Sequence, residues 1–410
     1  MIEIAVLLLL NIFLSVRYAK LDVDPDFAAF TMWGITGAKY GKDFVDCKTP
    51  LVHLWFLLLS RIKCQIEALR GIHVFVTGLP ALIYFAFTKD FAGALAFLVL
   101  VHSGWLLSFH GNIGDLPAGM IFIALFTPNP WLKVALLILA TLYEPKLIVA
   151  TGAVVVIGAY WLPGLVLSGV VGVALFCIWY FRHDVWEWVV ESSFTIPYRM
   201  TKYRKGLYKW FPIATSIALL YITPWIIAGI FSRPDILYWT PPLLYVVLSF
   251  MGKIVRQNHF IPVIPWIALS GIKPEIVYAL AVTDFLSAGF YFGDIWVRFY
   301  VGLAGLIKEA KSVGLWLRDK PGVLWVNTMH VEIYTVAKKK PAYGMMELVE
   351  VNHVAKERRS KMLRRIGATP PDWIVVANDT NIEYDYSPYS VVAKTLNFLV
   401  YKRNGYDYTV

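Results

Sequence analysis

Five aspartates lie close together in the segment LDVDPDFAAFTMWGITGAKYGKDFVDCKTPL, residues 21–51, directly after an apolar N-terminal run: Asp22, Asp24, Asp26, Asp43 and Asp46. A carboxylate inside lipid costs about 2.5–3.5 kcal/mol even on the lenient insertion scale, so these side chains must face water, protein or a ligand. A carboxylate in a desolvated cleft can act as a general base. The alternative is structural, because Asp24–Pro25 favours a turn and Asp26 can cap the helix that follows.

The same aspartates do not form a calcium-binding loop. The D-x-D-x-D pattern of residues 22–26 matches the start of such a loop, which then needs glycine at its sixth position and glutamate at its twelfth. Phe27 and Trp33 occupy those two positions. We therefore exclude calcium binding of this type.

A second polar set follows in KYGKDFVDCKTPLVHLWF, residues 39–56, where hydrogen-bond donors and acceptors alternate: Tyr40, Asp43, Asp46, Lys48 and His53. A helix is expected to begin at Pro50, because proline is favoured at the first helical position. Such a set can hold a polar headgroup of a ligand. It can equally be a turn beside the membrane that ion pairs stabilise, and the residues alone leave both interpretations open.

The composition predicts a membrane protein that crosses the bilayer several times. The chain has 410 residues, of which 58% are hydrophobic and 16% charged, whereas soluble proteins carry about 25% charged residues. The first apolar run has neither a basic segment before it nor a small-residue cleavage site after it, so we predict a retained helix. The formal net charge of +10 favours anionic lipids or phosphate-bearing substrates as partners, and not nucleic acid.

About eleven apolar segments occur between residues 2 and 293, and several are shorter than the ~20 residues that a perpendicular span needs. Broken or re-entrant helices are therefore expected. With a cytoplasmic N-terminus, the polar stretches 17–50, 110–117, 182–209 and 252–260 all lie on the external face. These stretches are rich in lysine and arginine, which favours the opposite orientation by the positive-inside rule. A phosphate-binding role for the outer loops would account for that bias.

From Asp294 onward the composition becomes that of a soluble domain. The segments PGVLWVNT and PDWIVVAND are typical of strands, and HVEIYTVAKKK and NHVAKERRSKMLRRIG are typical of helices. We therefore predict an all-α transmembrane domain over residues 1–293 and a small extracytoplasmic α/β domain over residues 294–410.

The first polar loop resembles that of the GT-C superfamily of membrane glycosyltransferases, particularly protein O-mannosyltransferases and lipid A aminoarabinose transferases. The matching residues in this loop are Gly37, Tyr40, Asp43, Phe44, Asp46, Lys48, Pro50 and Leu51. Cys47 departs from the pattern, since relatives often have histidine there. HGNIGDLP resembles the second external loop through Gly111, Asn112 and Asp115, and RQNHFIPVIP resembles a later motif through Arg256 and His259. The likeness runs in order along nearly the whole chain.

This resemblance implies a GT-C fold of about eleven transmembrane helices, with amphipathic juxtamembrane helices in the first external loop. It implies transfer of a sugar from a polyprenyl phosphate, of the dolichyl type, to a protein, lipid or glycan acceptor. The reaction would take place at the extracytoplasmic face of the cell membrane, with an aspartate of the first loop as general base. Spacing to Gly37 favours Asp24, with Asp26 as the second candidate and Asp22 as a neighbouring substrate-binding residue.

The departing lipid phosphate requires cations, and arginine binds phosphate as a planar fork. Arg256 is the first candidate, followed by Lys146 and the pair Arg204–Lys205. These residues can instead contact anionic headgroups, and Lys146 can snorkel to the interface. His53 and His259 are expected to be hydrogen-bonding spacers.

The second external loop supplies the remaining expected contacts. Asn112 and Asp115 would position the donor sugar or the acceptor. Some GT-C enzymes use a divalent cation, so Asp24 and Asp115 could share a metal ion. The sequence leaves this metal open.

A membrane transporter or a lipid-flipping protein is the main alternative. A transporter would place ionisable residues near the middle of its spans and often has two similar halves. Here most mid-span stretches lack charge, the carboxylates gather in loops, and no internal repeat is detectable. Glycosyl transfer is therefore the favoured interpretation.

Overall fold

The computed structural model describes residues 2–20, 25–39, 43–45, 48–103, 115–195, 198–199, 211–251, 257–287, 303–328, 330–343, 345–346, 356–377 and 383–405. The helices are α1 Ile2–Ala19, α2 Pro25–Thr36, α3 Pro50–Ser60, α4 Ile66–Thr88, α5 Phe91–Val101, α6 Asp115–Phe126, α7 Pro130–Tyr143, α8 Ile148–Ile157, α9 Trp161–Phe181, α10 His183–Val190, α11 Phe211–Ser232, α12 Ile236–Met251, α13 Ile264–Ala268, α14 Pro274–Ser287, α15 Leu303–Leu317, α16 Glu332–Ala337 and α17 Lys356–Ala368. The strands are β1 Phe44–Val45, β2 Leu324–Asn327, β3 Met345–Met346, β4 Trp373–Ala377, β5 Tyr389–Lys394 and β6 Phe398–Arg403. The fold is thus mostly helical with a small sheet near the C-terminus, as the sequence predicted.

The chain forms two compact units, and each combines segments that are distant in sequence. The membrane unit consists of residues 1–21, 70–186 and 204–297, and the C-terminal unit consists of residues 22–69, 187–203 and 298–410. The predicted boundary between residues 293 and 294 stays a prediction. What the structure adds is that the first polar loop packs in the same unit as residues 298–410.

Three of the described helices are long and apolar enough to cross a membrane, namely α1, α4 and α9. The other apolar helical stretches of the fully described residues have 10–17 residues, with residues 218–232 counted for α11, so the predicted number of about eleven spans is not confirmed. The physical reason is length: α5 has 11 residues and extends about 17 Å, while the hydrocarbon core is ~30 Å thick.

Small residues bring the helices of the membrane unit close together. A Cβ atom added at Gly71 would lie 2.9 Å from the Ser15 carbonyl oxygen, and one at Gly78 would overlap the Asn11 side chain. Asn11 is fully buried, and its amide donates to the Phe75 carbonyl oxygen at 3.0 Å. The two glycines therefore let α4 pack tightly against α1, as small residues commonly do between membrane helices.

The C-terminal unit contains a four-stranded sheet in the order β2-β4-β6-β5. β2 pairs with β4 in parallel, while β4–β6 and β6–β5 are antiparallel. The strands predicted in PGVLWVNT and PDWIVVAND are β2 and β4, and their apolar residues are buried because helices cover this part of the sheet. The predicted small sheet near the C-terminus is therefore present.

Two helices, α2 and α3, form in the stretch where the family resemblance implies amphipathic juxtamembrane helices. Helix α3 begins at Pro50 after Thr49, as the sequence predicted. Phe30 stacks on Phe56 with ring centroids 5.4 Å apart, and Phe27 packs edge-on against the same ring at 5.2 Å. Aromatic side chains thus join the two helices of the first loop.

Candidate functional site

A cluster of polar side chains is buried inside the membrane unit. We call it the polar cluster, and its members are at most 7% exposed: Tyr18, Arg70, His73, His102, Ser103, Asp115 and Asp284. Ionisable groups inside a membrane protein are costly and usually mark a functional site. The polar cluster is therefore the candidate site among the described residues of this unit.

Helix ends bring the polar cluster together. Tyr18 lies in the last turn of α1, and its hydroxyl donates to the His102 carbonyl oxygen, directly after α5, at 3.1 Å. Arg70, in the first half of α4, donates from Nε to the Tyr18 carbonyl oxygen at 2.9 Å. Asp115 is the first residue of α6. The C-terminal ends of α1 and α5 thus meet the N-terminal ends of α4 and α6.

His73 and Asp115 face each other at the centre of the cluster. Their Nε2 and Oδ2 atoms are 3.6 Å apart, and both side chains are almost completely buried. This separation allows an electrostatic interaction but exceeds the length of a good hydrogen bond. The position of Asp115 in the first turn of α6 also favours its negative charge, because the helix dipole is positive there.

His102 and Asp115 have side-chain atoms in the cluster that can form further hydrogen bonds. Among the described residues, neither ring nitrogen of His102 has a hydrogen-bond partner, and neither does Oδ1 of Asp115, although both side chains are buried. A buried polar group without a partner costs about 1–3 kcal/mol. These positions are therefore suited to polar atoms of a ligand or to water.

Asp284 forms the other side of the cluster. Ser103 Oγ donates to Asp284 Oδ1 at 3.3 Å. The Tyr221 hydroxyl and the Arg17 guanidinium also interact electrostatically with this carboxyl group. The cluster therefore combines two carboxylates with cationic, imidazole and hydroxyl groups, which is a set that can bind a polyhydroxylated or anionic headgroup.

Of the predicted site residues, Asp115 is the one that the described structure places in the polar cluster. His73, His102, Arg70 and Asp284 were not predicted. Each is an ionisable residue within or beside an apolar segment, and this was the available signal. Arg70, His73 and the buried Thr77 also share one face of α4, at helical spacing.

Asp43 and His53 have structural contacts in the C-terminal unit. The Asp43 carboxylate accepts from the Lys39 backbone N–H at 2.9 Å and pairs with Lys340 Nζ at 3.2 Å. His53 is fully buried in α3 and packs edge-on against Phe30 at 5.8 Å. These contacts match the structural alternative that the sequence left open for this stretch.

The other two described candidates are lysines. Lys146 is exposed in the short 3-10 turn Pro145–Leu147, and Lys48 is partly exposed two residues before α3. The exposed side chain of Lys146 fits the expected contact with lipid headgroups as well as it fits phosphate binding. The interpretation of Lys146 therefore stays open.

The remaining predicted residues lie outside the described structure: Asp22, Asp24, Tyr40, Asp46, Asn112, Arg204, Lys205 and Arg256. For Asp26 and His259 the backbone is described, in α2 and in the 3-10 segment Gln257–Val263, but the side chains are not. Their roles stay predictions. Among the described residues, no group of three or more His, Cys, Asp or Glu side chains could hold a metal ion.

The fold matches that of a solved membrane enzyme. ArnT from Cupriavidus metallidurans, crystallised bound to undecaprenyl phosphate, superposes with a TM-score of 0.62 and 12% sequence identity. The match covers 98% of this chain and 97% of ArnT. No protein-family model and no curated protein sequence matches the chain. The likeness to ArnT shows that the chain has the ArnT fold, in agreement with the resemblance of its first polar loop.

Proposed function

We propose that this protein is a membrane glycosyltransferase that takes a sugar from a polyprenyl phosphate donor. The observation that carries the proposal is the ArnT fold over 98% of the chain, together with a buried polar cluster at the ends of α1, α4, α5 and α6. The dolichyl-type donors implied by the family resemblance and the undecaprenyl phosphate bound to ArnT share one chemical class. That class, a long isoprenoid with a phosphate head, is the donor we propose.

The proposed reaction is a displacement at the anomeric carbon of the donor sugar. A hydroxyl group of a protein, lipid or glycan acceptor forms the new bond to this carbon. The bond to the phosphate oxygen breaks, and the polyprenyl phosphate leaves with the electron pair. The hydroxyl proton passes to a carboxylate of the first polar loop, for which Asp24 is the first candidate and Asp26 the second.

The polar cluster would bind the sugar head of the donor. Asp115 and Asp284 can accept hydrogen bonds from sugar hydroxyls, and His102 can donate or accept. Arg70 and Arg17 add positive charge close to these carboxylates, and Arg256 remains the first candidate for the departing phosphate. The acceptor side would be the extracytoplasmic face, where lipid-borne donors of this class are used in the resembling families.

The experiment is a transfer assay with the full-length protein in lipid nanodiscs. Radiolabelled sugars on undecaprenyl and dolichyl phosphate serve as donors, and native membranes supply the acceptors. We expect label transfer that depends on the polyprenyl phosphate. Replacement of the general base by asparagine should lower the rate by about 10²–10⁴-fold, so Asp22→Asn, Asp24→Asn and Asp26→Asn are tested singly.

Asp184→Asn is the matched control, because Asp184 is 72% exposed and pairs only across the surface with Arg182 among the contacts described. It should leave transfer unchanged. Asp115→Asn should lower kcat/KM by about 10–100-fold, as expected for a lost charge-assisted hydrogen bond to the substrate. Retained activity in all three loop variants would refute the assignment of the base to this loop.

Transport is the second candidate function, and the buried ionisable residues of the membrane unit favour it. His73, Asp115 and Asp284 could relay protons or bind a moving ion. Reconstituted vesicles distinguish the two functions. Flux of a sugar phosphate or lipid across the vesicle membrane without any glycosyl transfer would support the transporter and contradict the enzyme.

A further inference from the structure

The first polar loop packs in the C-terminal unit, together with α3 and the start of α4. Residues 22–69 belong to the same compact unit as residues 298–410. In α2, every side chain from Phe27 to Met32 is at most 1% exposed. A helix this deeply buried depends on its neighbours for its position, since it has little freedom to move without opening the core.

Helix α16 of the C-terminal segment contacts α2 directly. Thr335 is 3% exposed, and its hydroxyl donates to the Ala28 carbonyl oxygen at 3.2 Å. Ala29 and Met32 of α2 belong to the same hydrophobic core as Ile333 and Tyr334 of α16. The C-terminal segment thus provides one wall of the site in which α2 lies.

Helix α3 provides another wall. A Cβ atom added at Gly34 of α2 would overlap the Ser60 hydroxyl of α3, so the two helices approach closely at this position. Phe30 and His53 also pack ring against ring at 5.8 Å. Contacts with both α3 and α16 therefore fix α2 from more than one direction.

Three further contacts tie the loop to the C-terminal segment. Strand β1 pairs in parallel with β3, with Phe44 opposite Met345. The Asp43 carboxylate pairs with Lys340 Nζ at 3.2 Å. Glu67 Oε1 accepts from Lys311 Nζ at 2.9 Å. Residues 22–69 are thus held at their middle and near their C-terminal end, as well as along α2.

We propose that residues 298–410 position the carboxylate that acts as general base, and that Thr335 is a positioning residue. The inference rests on the proposed function. Helix α2 includes Asp26, one of the two candidate bases, so a displacement of α2 displaces the backbone of that residue. A misplacement of about 1 Å can cost about 10²-fold in rate, which makes the α2–α16 contact important for kcat.

The test compares three full-length variants in nanodiscs. Thr335→Phe adds bulk against Ala28 and should push α2 away, which lowers kcat about tenfold or more with a donor KM within twofold of wild type. Thr335→Val keeps the shape and loses only the hydroxyl, so its kcat should stay within threefold. Ile366→Ala is the matched control, because it opens a cavity in the same core from α17 and changes no residue of α2 or α16.

Amide hydrogen exchange of residues 25–36 is the second measurement. Exchange should accelerate in Thr335→Phe and remain at the wild-type rate in Ile366→Ala, whose kcat should stay within threefold. Unchanged exchange of α2 in Thr335→Phe would overturn the inference. Faster exchange in Thr335→Phe without any loss of kcat would also overturn it. So would a loss of kcat in Ile366→Ala as large as that in Thr335→Phe. Absence of transfer by the wild-type protein would refute the proposed function separately, and with it the catalytic part of this inference, while exchange still measures the support of α2.

Discussion

The two units bury polar groups in different ways. In the C-terminal unit, His330 Nδ1 lies 2.7 Å from Glu332 Oε1, and the Val326 N–H donates to the Tyr334 hydroxyl at 2.8 Å. The Asn327 amide donates to the Tyr386 hydroxyl at 2.7 Å. Each of these pairs has the length of a good hydrogen bond, so these groups contribute to the packing of the core, although Glu332 Oε2 has no hydrogen-bond partner among the described residues.

In the membrane unit, two side-chain pairs of the polar cluster are further apart, although its side-chain-to-backbone contacts are short. His73 and Asp115 are separated by 3.6 Å and Ser103 and Asp284 by 3.3 Å, while no described residue forms a hydrogen bond to the His102 ring. Closed networks rigidify a core, whereas open ones carry a desolvation cost that a ligand can remove. The comparison therefore separates polar groups that stabilise the fold from polar groups that are kept for binding.

The largest expected effect is on stability, from a change in the buried pair His330–Glu332. His330→Leu removes one partner and leaves the buried Glu332 carboxylate, so we expect the C-terminal unit to lose about 3–5 kcal/mol of stability. Native-state amide exchange of β2 and α16 measures this loss in the full-length protein. The double variant with Glu332→Leu should recover much of it. A loss below about 1 kcal/mol would show that this pair is not part of a closed core.

His102→Leu should have the opposite sign. It replaces an imidazole without hydrogen bonds by an apolar group of similar size, so the free energy of unfolding should rise by about 1–3 kcal/mol. Denaturation of the protein in detergent micelles measures this change, with His330→Leu measured in parallel. The same variant should lower glycosyl transfer at least tenfold if the ring binds the donor. Destabilisation as large as that of His330→Leu would contradict the comparison.

The sequence predicted the elements better than it predicted their assembly. Strands β2 and β4 stand out because apolar runs such as LWVN and WIVVA are bounded by Pro, Gly and Asp. Asp115 was found through a loop motif. His73, His102 and Asp284 occur singly in three separate apolar segments, and only the packing of α4, α5 and α14 brings them together. No short-range pattern encodes that convergence.

Local sequence patterns also could not predict which chain segments pack together in the C-terminal unit. Glu67 and Lys311 are 244 positions apart, and the Asp43–Lys340 contact is similarly distant in sequence. Hydropathy locates a polar loop between two apolar runs, but it carries no information about which other segment covers that loop. The burial of α2 therefore had to come from the structure. The sequence favoured a turn at Asp24–Pro25 and a cap at Asp26, but α2 begins at Pro25, so Asp26 is its second residue and not its cap.

The smallest expected effect concerns Glu309, whose carboxylate accepts several hydrogen bonds at the surface of the C-terminal unit. Partial burial would raise the pKa of this carboxyl group, but hydrogen bonds from Thr395 and Asn397 outweigh burial, so the pKa is lowered. Thr395 Oγ1 donates at 2.6 Å, and Asn397 donates from its backbone N–H at 3.0 Å and from Nδ2 at 2.9 Å. Glu309 therefore holds the turn between β5 and β6 most firmly when it is ionised.

Because the folded-state pKa lies below the unfolded value of about 4.3, this stabilisation is complete above that value and is lost as the pH falls through the folded-state pKa. Glu309→Gln should destabilise the β5–β6 hairpin at pH 7 by about 1 kcal/mol or less, since solvent weakens a partly exposed contact. The stability difference between wild type and Glu309→Gln should shrink as the pH falls below about 4.3. Amide exchange of residues 389–403 measures it, with the 85% exposed Glu357→Gln as control. A difference between wild type and Glu309→Gln that grows as the pH falls would mean that the protonated carboxyl group, and not the carboxylate, holds this turn.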